Sequence, residues 1–132
     1  MEKYPAKILV AFNESINGNE KIWDWLLKNG FPELAVLSKA IQGGEEAPKW
    51  LIKNGFPQFA ALDAAIHNDQ NAYKWLEENN FSLLIILADA CRGKEEAIAW
   101  FNERDLKIFT MMSHRIKTFI DGQTFDYHKI HF

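Results

Sequence analysis

Residues 31–55 read FPELAVLSKAIQGGEEAPKWLIKNG, and the next 25, residues 56–80, read FPQFAALDAAIHNDQNAYKWLEENN. Laid over one another without a gap, the two stretches agree at eleven positions: Phe, Pro, Ala, Leu, Ala, Ile, Ala, Lys, Trp, Leu and Asn. A third copy, 81–105, is looser but keeps Phe81, Leu87, Ala90, Ala97 and Trp100. Backwards, Phe12, Ser15, Ile16, Gly18 and Trp25 fill the same slots, and forwards Met112 and Ile116 do so. Trp25, Trp50, Trp75 and Trp100 therefore stand 25 residues apart. A fixed period of this kind marks an array of stacked units.

Each copy reads as helix, tight turn, helix, tight turn. Phe31, Leu34, Ala35, Leu37, Ala40 and Ile41 have the three-and-four spacing of one buried helix face. Pro32 and Pro57 suit a first helical turn, where a missing N–H costs nothing. Gly18, Gly43, Asn68 and Gly93 suit the left-handed residue that closes the first helix, and Gly30, Gly55 and Asn80 close the second. Ala47, Trp50, Leu51 and Asn54 form the expected buried face of the second helix. Its first turn is acidic (Glu20, Glu45, Glu46, Glu95, Glu96), which complements the helix dipole. Pro48 predicts an irregular start for the second helix of its copy.

First helices are predicted near 7–17, 32–42, 57–67, 82–92 and 107–120, and second helices near 19–29, 44–54, 69–79 and 94–104. A single helix pair of this size cannot bury its apolar face, so neighbours must stack. The expected fold is all-α: a right-handed α-solenoid of about nine helices from a 25-residue helix-turn-helix repeat. One domain should span 1–132, with copies near 6–30, 31–55, 56–80 and 81–105, a final helix over 106–120 and a tail over 121–132. A stop at Asp121-Gly122 is expected, after which Phe125, Tyr127, Ile130 and Phe132 fold back and cap the stack.

The run Leu37-x-x-Ala40-Ile41 followed by Trp50-Leu51-x-x-x-Gly55-Phe56 resembles the helix pair of ankyrin repeats. The turn motif Thr-Pro-Leu-His is missing, and 25 residues leave no room for the hairpin of an ankyrin repeat of about 33. The resemblance implies a surface that binds a protein partner, and no catalytic residues.

Bulk composition narrows the function. A net charge of -3 disfavours a general nucleic-acid binder or an anionic-membrane binder, both of which normally need a basic surplus. A lone cysteine, Cys91, fits a reducing compartment and leaves no internal disulfide. The opening Met1-Glu2-Lys3-Tyr4-Pro5 does not read as a signal peptide, and Leu83 to Ala88, the most apolar stretch, is too short to span a membrane. A cytoplasmic location is expected.

Residues that could carry chemistry have simpler readings beside them. Tryptophan at one slot per copy reads as core packing, with a ladder of stacking faces as the alternative. Trp23, whose slot holds Pro48, Tyr73 and Ile98 elsewhere, reads as a half-exposed aromatic. Cys91 takes the slot of Ile16, Ile41, Ile66 and Ile116, where a thiol acts as a small hydrophobe. His67, His114, His128 and His131 lack the spacing of a metal site, so no metal or other cofactor is expected.

The variable slots at the ends of the first helices are the candidate binding row: Asn17, Gln42, His67, Arg92 and Lys117. Beside it run Glu14, Lys39, Ala64, Asp89 and His114, and then Asn13, Ser38, Asp63, Ala88 and Ser113, all expected at the surface. In a solenoid, unlike residues at equivalent exposed slots are where recognition can be written, although solvated polar positions look the same. The candidate binding residues are Asp63, His67, Asp89, Arg92, His114 and Lys117.

The expected function is a protein–protein interaction scaffold or adaptor, in one concrete form a small inhibitor or immunity-type binder, with a basic protein surface as partner. The alternatives are a small-ligand binder or enzyme using the polar row, and a helical-repeat nucleic-acid binder if Lys39, Arg92 and Lys117 form a stripe.

Overall fold

The structure is a computed structural model that describes the backbone of residues 1–130 and the side chains of residues 1–123. Its helices are α1 (Ala6–Ile16), α2 (Glu20–Lys28), α3 (Pro32–Ile41), α4 (Glu46–Lys53), α5 (Pro57–Ile66), α6 (Gln70–Glu78), α7 (Ser82–Cys91), α8 (Glu95–Glu103) and α9 (Lys107–Ile130). The described residues contain no strand.

The turns close as the residue types require. Gly18, Gly30, Gly43, Gly55 and Gly93 are left-handed, and Asn68, Asn80 and Asp105 adopt the same conformation despite their side chains. One residue later the chain bonds back into the helix it has left. The N–H groups of Phe31, Phe56, Phe81 and Leu106 donate to the carbonyls of Leu26, Leu51, Leu76 and Phe101 at 3.0, 2.8, 2.9 and 2.9 Å. This is the Schellman closure, and it brings an apolar side chain back onto the helix end. At the starts, Asn19 accepts from the Ile22 N–H, and Asp69 accepts from those of Asn71 and Ala72. No side chain caps α4 in this way; it begins one slot later than α2, α6 and α8, with Pro48 at its third position.

Two layers result. The odd-numbered helices pack on one another, and each even-numbered helix covers the joint between the two odd helices that flank it. The odd helices bury almost every side of themselves. Leu9, Leu34, Phe59, Leu84 and Phe109 occupy one buried slot, and Phe12, Leu37, Leu62, Leu87 and Met112 another. Ile16, Ile41, Ile66, Cys91 and Ile116 fill a third. The even helices contribute less: Leu26, Leu51, Leu76 and Phe101, with Ala47, Ala72 and Ala97. Burying one such Leu stabilises by about 1.5–3 kcal/mol, so the three inner slots dominate the core.

The stack also meets its own beginning. α1 packs against α9 as well as α3, so the five odd helices form a closed ring around one apolar core.

Three expectations need correction. The repeat tryptophans are not the core: Trp25 is 46% exposed, and Trp50, Trp75 and Trp100 are half-buried against it. Two of them lie flat on the turn that follows, Trp25 stacked on Phe31 at 6.4 Å and Trp75 on Phe81 at 5.8 Å. In the last copy, where Leu106 replaces phenylalanine, the Arg104 guanidinium covers Trp100 at 3.9 Å. Asn54, expected in a buried face, is an exposed cap that donates to the Trp50 carbonyl at 2.8 Å, as Asn29 and Asn79 do in their copies. Finally, α9 does not stop at Asp121-Gly122: Gly122 stays out of the left-handed region, and Asp121 holds Lys117 one turn back at 2.6 Å. The expected capping side chains, Phe125 to Phe132, lie outside the described residues.

Candidate functional site

The slot of Asn13, Ser38, Asp63, Ala88 and Ser113 was expected at the surface and is buried in all five copies. An odd helix has neighbours on both sides, so its buried arc is wider than that of a helix lying on one surface. Ser113 meets burial by bonding its own helix, and Ser38 accepts from Gln42. Gln42 reaches further, donating to the Ser15 carbonyl of α1 at 3.1 Å, so this member of the binding row is a structural link between units.

Asp63 is the candidate binding residue, expected at the surface, that the structure buries. Its Oδ1 is buried with no hydrogen-bond partner. The His67 ring Nδ1 lies 3.5 Å from that oxygen and 2.9 Å from the Asp63 carbonyl oxygen, an acceptor that requires a proton on Nδ1. Burial pushes the Asp63 carboxyl above the usual carboxylate range, and the neighbouring His67 partly opposes this.

A second pair lies two helices on. The Tyr73 hydroxyl of α6 donates to Asp89 Oδ1 at 2.8 Å and accepts from the Arg92 guanidinium at 3.2 Å, while Lys94 approaches the same carboxylate at 3.4 Å. Burial, offset in part by Arg92, pushes the Tyr73 hydroxyl up to about 12. Tyr73 was not among the expected site residues, although its slot also holds Trp23, whose Nε1–H donates to the Ala35 carbonyl of the next odd helix at 2.7 Å. In these two copies the slot ties an outer helix to the following inner one.

Arg92 and Lys117 come together around a cavity of about 230 Å³, with Ile66, Cys91, Ile120 and Asp121. The Cys91 thiol is buried, and desolvation pushes its pKa up, the opposite of an activated nucleophile. His114 sits exposed on α9, apart from that cavity. The cations proposed as a stripe are each engaged: Lys39 with Glu20 and the Trp23 ring, Arg92 with Tyr73, Lys117 with Asp121.

The larger cavity, about 380 Å³, opens at the other end of the ring, where the odd helices begin. Tyr4, Phe56, Phe59 and Phe81 give it aromatic walls, and Gln58, Asn80 and Ser82 add polar groups. None of the six candidate residues lines it. The phenylalanines carry the repeat signal and so read as packing alone, while the N-terminal segment that roofs the space lies outside the repeat.

Among the described residues, no group of three or more His, Cys, Asp or Glu side chains is placed to hold a metal ion, and no helix is long and apolar enough to cross a membrane. The chain matches no family model, no curated protein and no solved structure.

Proposed function

We propose that the chain is a protein-binding scaffold. One observation carries this reading: Val10, Trp25, Leu27, Ile52 and Met111 stand 38–61% exposed on helices held together by a shared core. Large apolar side chains left on a rigid stack offer contact area that a protein partner can cover. The groups suited to chemistry are turned inward instead, with Asp63 and Cys91 buried and Asp89, Arg92 and Tyr73 bonded to one another.

The experiment is affinity capture with tagged chain from native extract, followed by titration of the purified partner by calorimetry. The expected outcome is a saturable, stoichiometric complex. Capture of chaperones alone, equally by a denatured form, would remove the reading.

The aromatic-walled cavity favours a second reading, a small apolar ligand, since about 300–1,000 Å³ is the usual range for such sites. A saturable rise in melting temperature with a small aromatic compound, abolished by Phe59→Ala, is its expected signature.

A further inference from the structure

The ring has five joints between odd helices, and four of them are covered by α2, α4, α6 and α8. The fifth, between α9 and α1, has no covering helix among the described residues. Slot equivalence identifies the side chains that such a helix would cover. Val10 shares its slot with Ala35 and Ala60, both buried, and with Ile85 and Thr110, both half-buried, and the Ala35 carbonyl is bonded by Trp23 of the covering helix α2. Val10 itself is 45% exposed. Met111 shares its slot with Ala11, Val36, Ala61 and Ile86, all half-buried, and is 57% exposed. The exposure of both follows from the missing helix.

The charges at this joint differ from those of the whole chain. Arg115 replaces the small residue found in the other four copies (Ser15, Ala40, Ala65, Ala90) and reaches Glu14 across the joint at 3.6 Å. Lys7 is exposed one turn before Val10 on the same face of α1. Lys7 and Arg115 thus stand at the groove beside Glu14, in a chain of net charge -3.

We propose that the α1–α9 joint is a docking groove for an amphipathic, acidic helix of a partner protein, seated as a fifth outer helix. Three of the four covering helices state the chemistry of the occupant. A small residue is followed four later by Leu or Phe, in Ala47 and Leu51, Ala72 and Leu76, and Ala97 and Phe101, while α2 has Ile22 before Leu26. Carboxylates on its flanks face Lys7 and Arg115. The proposal rests on the scaffold reading and names its surface.

The probe is a fluorescein-labelled peptide of residues 68–80, the acidic outer-helix sequence NDQNAYKWLEENN, titrated with the full chain by anisotropy. The expected result is saturable binding that the double variant Val10→Glu, Met111→Glu weakens by about tenfold or more, as loss of central contacts does. Both positions are exposed, so melting temperature and helicity should match wild type. Lys7→Glu, a change at the groove edge, should weaken binding in the same direction and more strongly at low salt. Equal binding by wild type and the double variant overturns the proposal, as does no saturation up to about 1 mM protein. A wild-type dimer dissolved by the double variant also overturns it, by making a second copy the occupant. The scaffold reading fails separately, if capture yields no partner; if a captured partner binds wild type and double variant equally, only the groove is lost.

Discussion

Arg115 on α9 lies 3.6 Å from Glu14 on α1, so an ion pair joins the last helix of the ring to the first. In an open repeat array each unit touches only its neighbours, and the ends fray first. Here the two end helices are each other's neighbours. The pair itself should contribute modestly, because its side chains are 30% and 44% exposed. A double-mutant cycle with Arg115→Ala and Glu14→Ala, read by urea unfolding, should return a coupling of about 0.2–1 kcal/mol. It should shrink in about 1 M salt, where screening is short-ranged. A coupling near zero at low salt would leave closure to apolar packing alone.

Adjacent residues on α2 separate core from clamp. Leu26 is fully buried, whereas Trp25 is 46% exposed and stacked on Phe31. Leu26→Ala should cost about 2–5 kcal/mol, the range for a buried leucine that leaves a cavity. Trp25→Ala should cost about 0.5–1.5 kcal/mol, the value of one aromatic pair, despite the larger side chain removed. Chemical denaturation of the two variants decides the order. The reverse order would return the tryptophans to the core.

The same two residues show what the sequence made legible. Repetition every 25 residues exposed the helix pair, and the glycines and asparagines at fixed slots located the turns. Repetition does not say why a residue recurs. Trp25 and Trp75 lie as flat lids on the following turn, while the residue beside each, Leu26 and Leu76, fills the core; both look alike in sequence. Ring closure leaves no periodic trace, since it depends on small rotations summed over all units. The burial of Asp63 was hidden for a related reason. A polar residue in a variable slot reads as surface unless both flanking helices are known. Arg115, the one large residue in a slot of serine and alanine, reads in the sequence as the solvent-facing side of a terminal unit, whereas the structure pairs it with Glu14 of α1.

The left-handed turn residues offer a cleaner test, because packing does not interfere. A Cβ added to Gly55 meets nothing within 4 Å, yet its φ is +89°. Gly55→Ala should therefore cost about 1–2 kcal/mol through backbone strain alone. Asp105 holds φ 56° with a side chain already present, so Asp105→Gly should be neutral or stabilising, by up to about 1 kcal/mol. Thermal melts of both variants check the pair. Equal effects of the same sign would show that the turns are not set by backbone conformation.

Asp63 predicts how stability depends on pH. Its Oδ1 is buried without a hydrogen bond, and burial raises its pKa above the ordinary value of about 3.9, with His67 opposing. A raised carboxyl pKa means that the folded chain binds the proton more tightly than the unfolded chain. The stabilisation from that proton is fully present below about pH 3.9 and is lost as pH rises through the folded value. Asp63→Asn cannot ionise and escapes this loss. The variant should therefore gain on wild type as pH rises from about 3.9, and the gap should level off above the folded pKa. Other carboxylates titrate in both proteins and cancel in the difference. Adding His67→Ala to each protein removes the opposing charge, which should widen the gap and shift its levelling to higher pH. Urea unfolding of all four proteins between about pH 3 and 8 gives the curves, with a slope set by the difference in bound protons. A gap that stays flat across that range would mean Asp63 titrates alike in the folded and unfolded chain, and that its carboxylate reaches water.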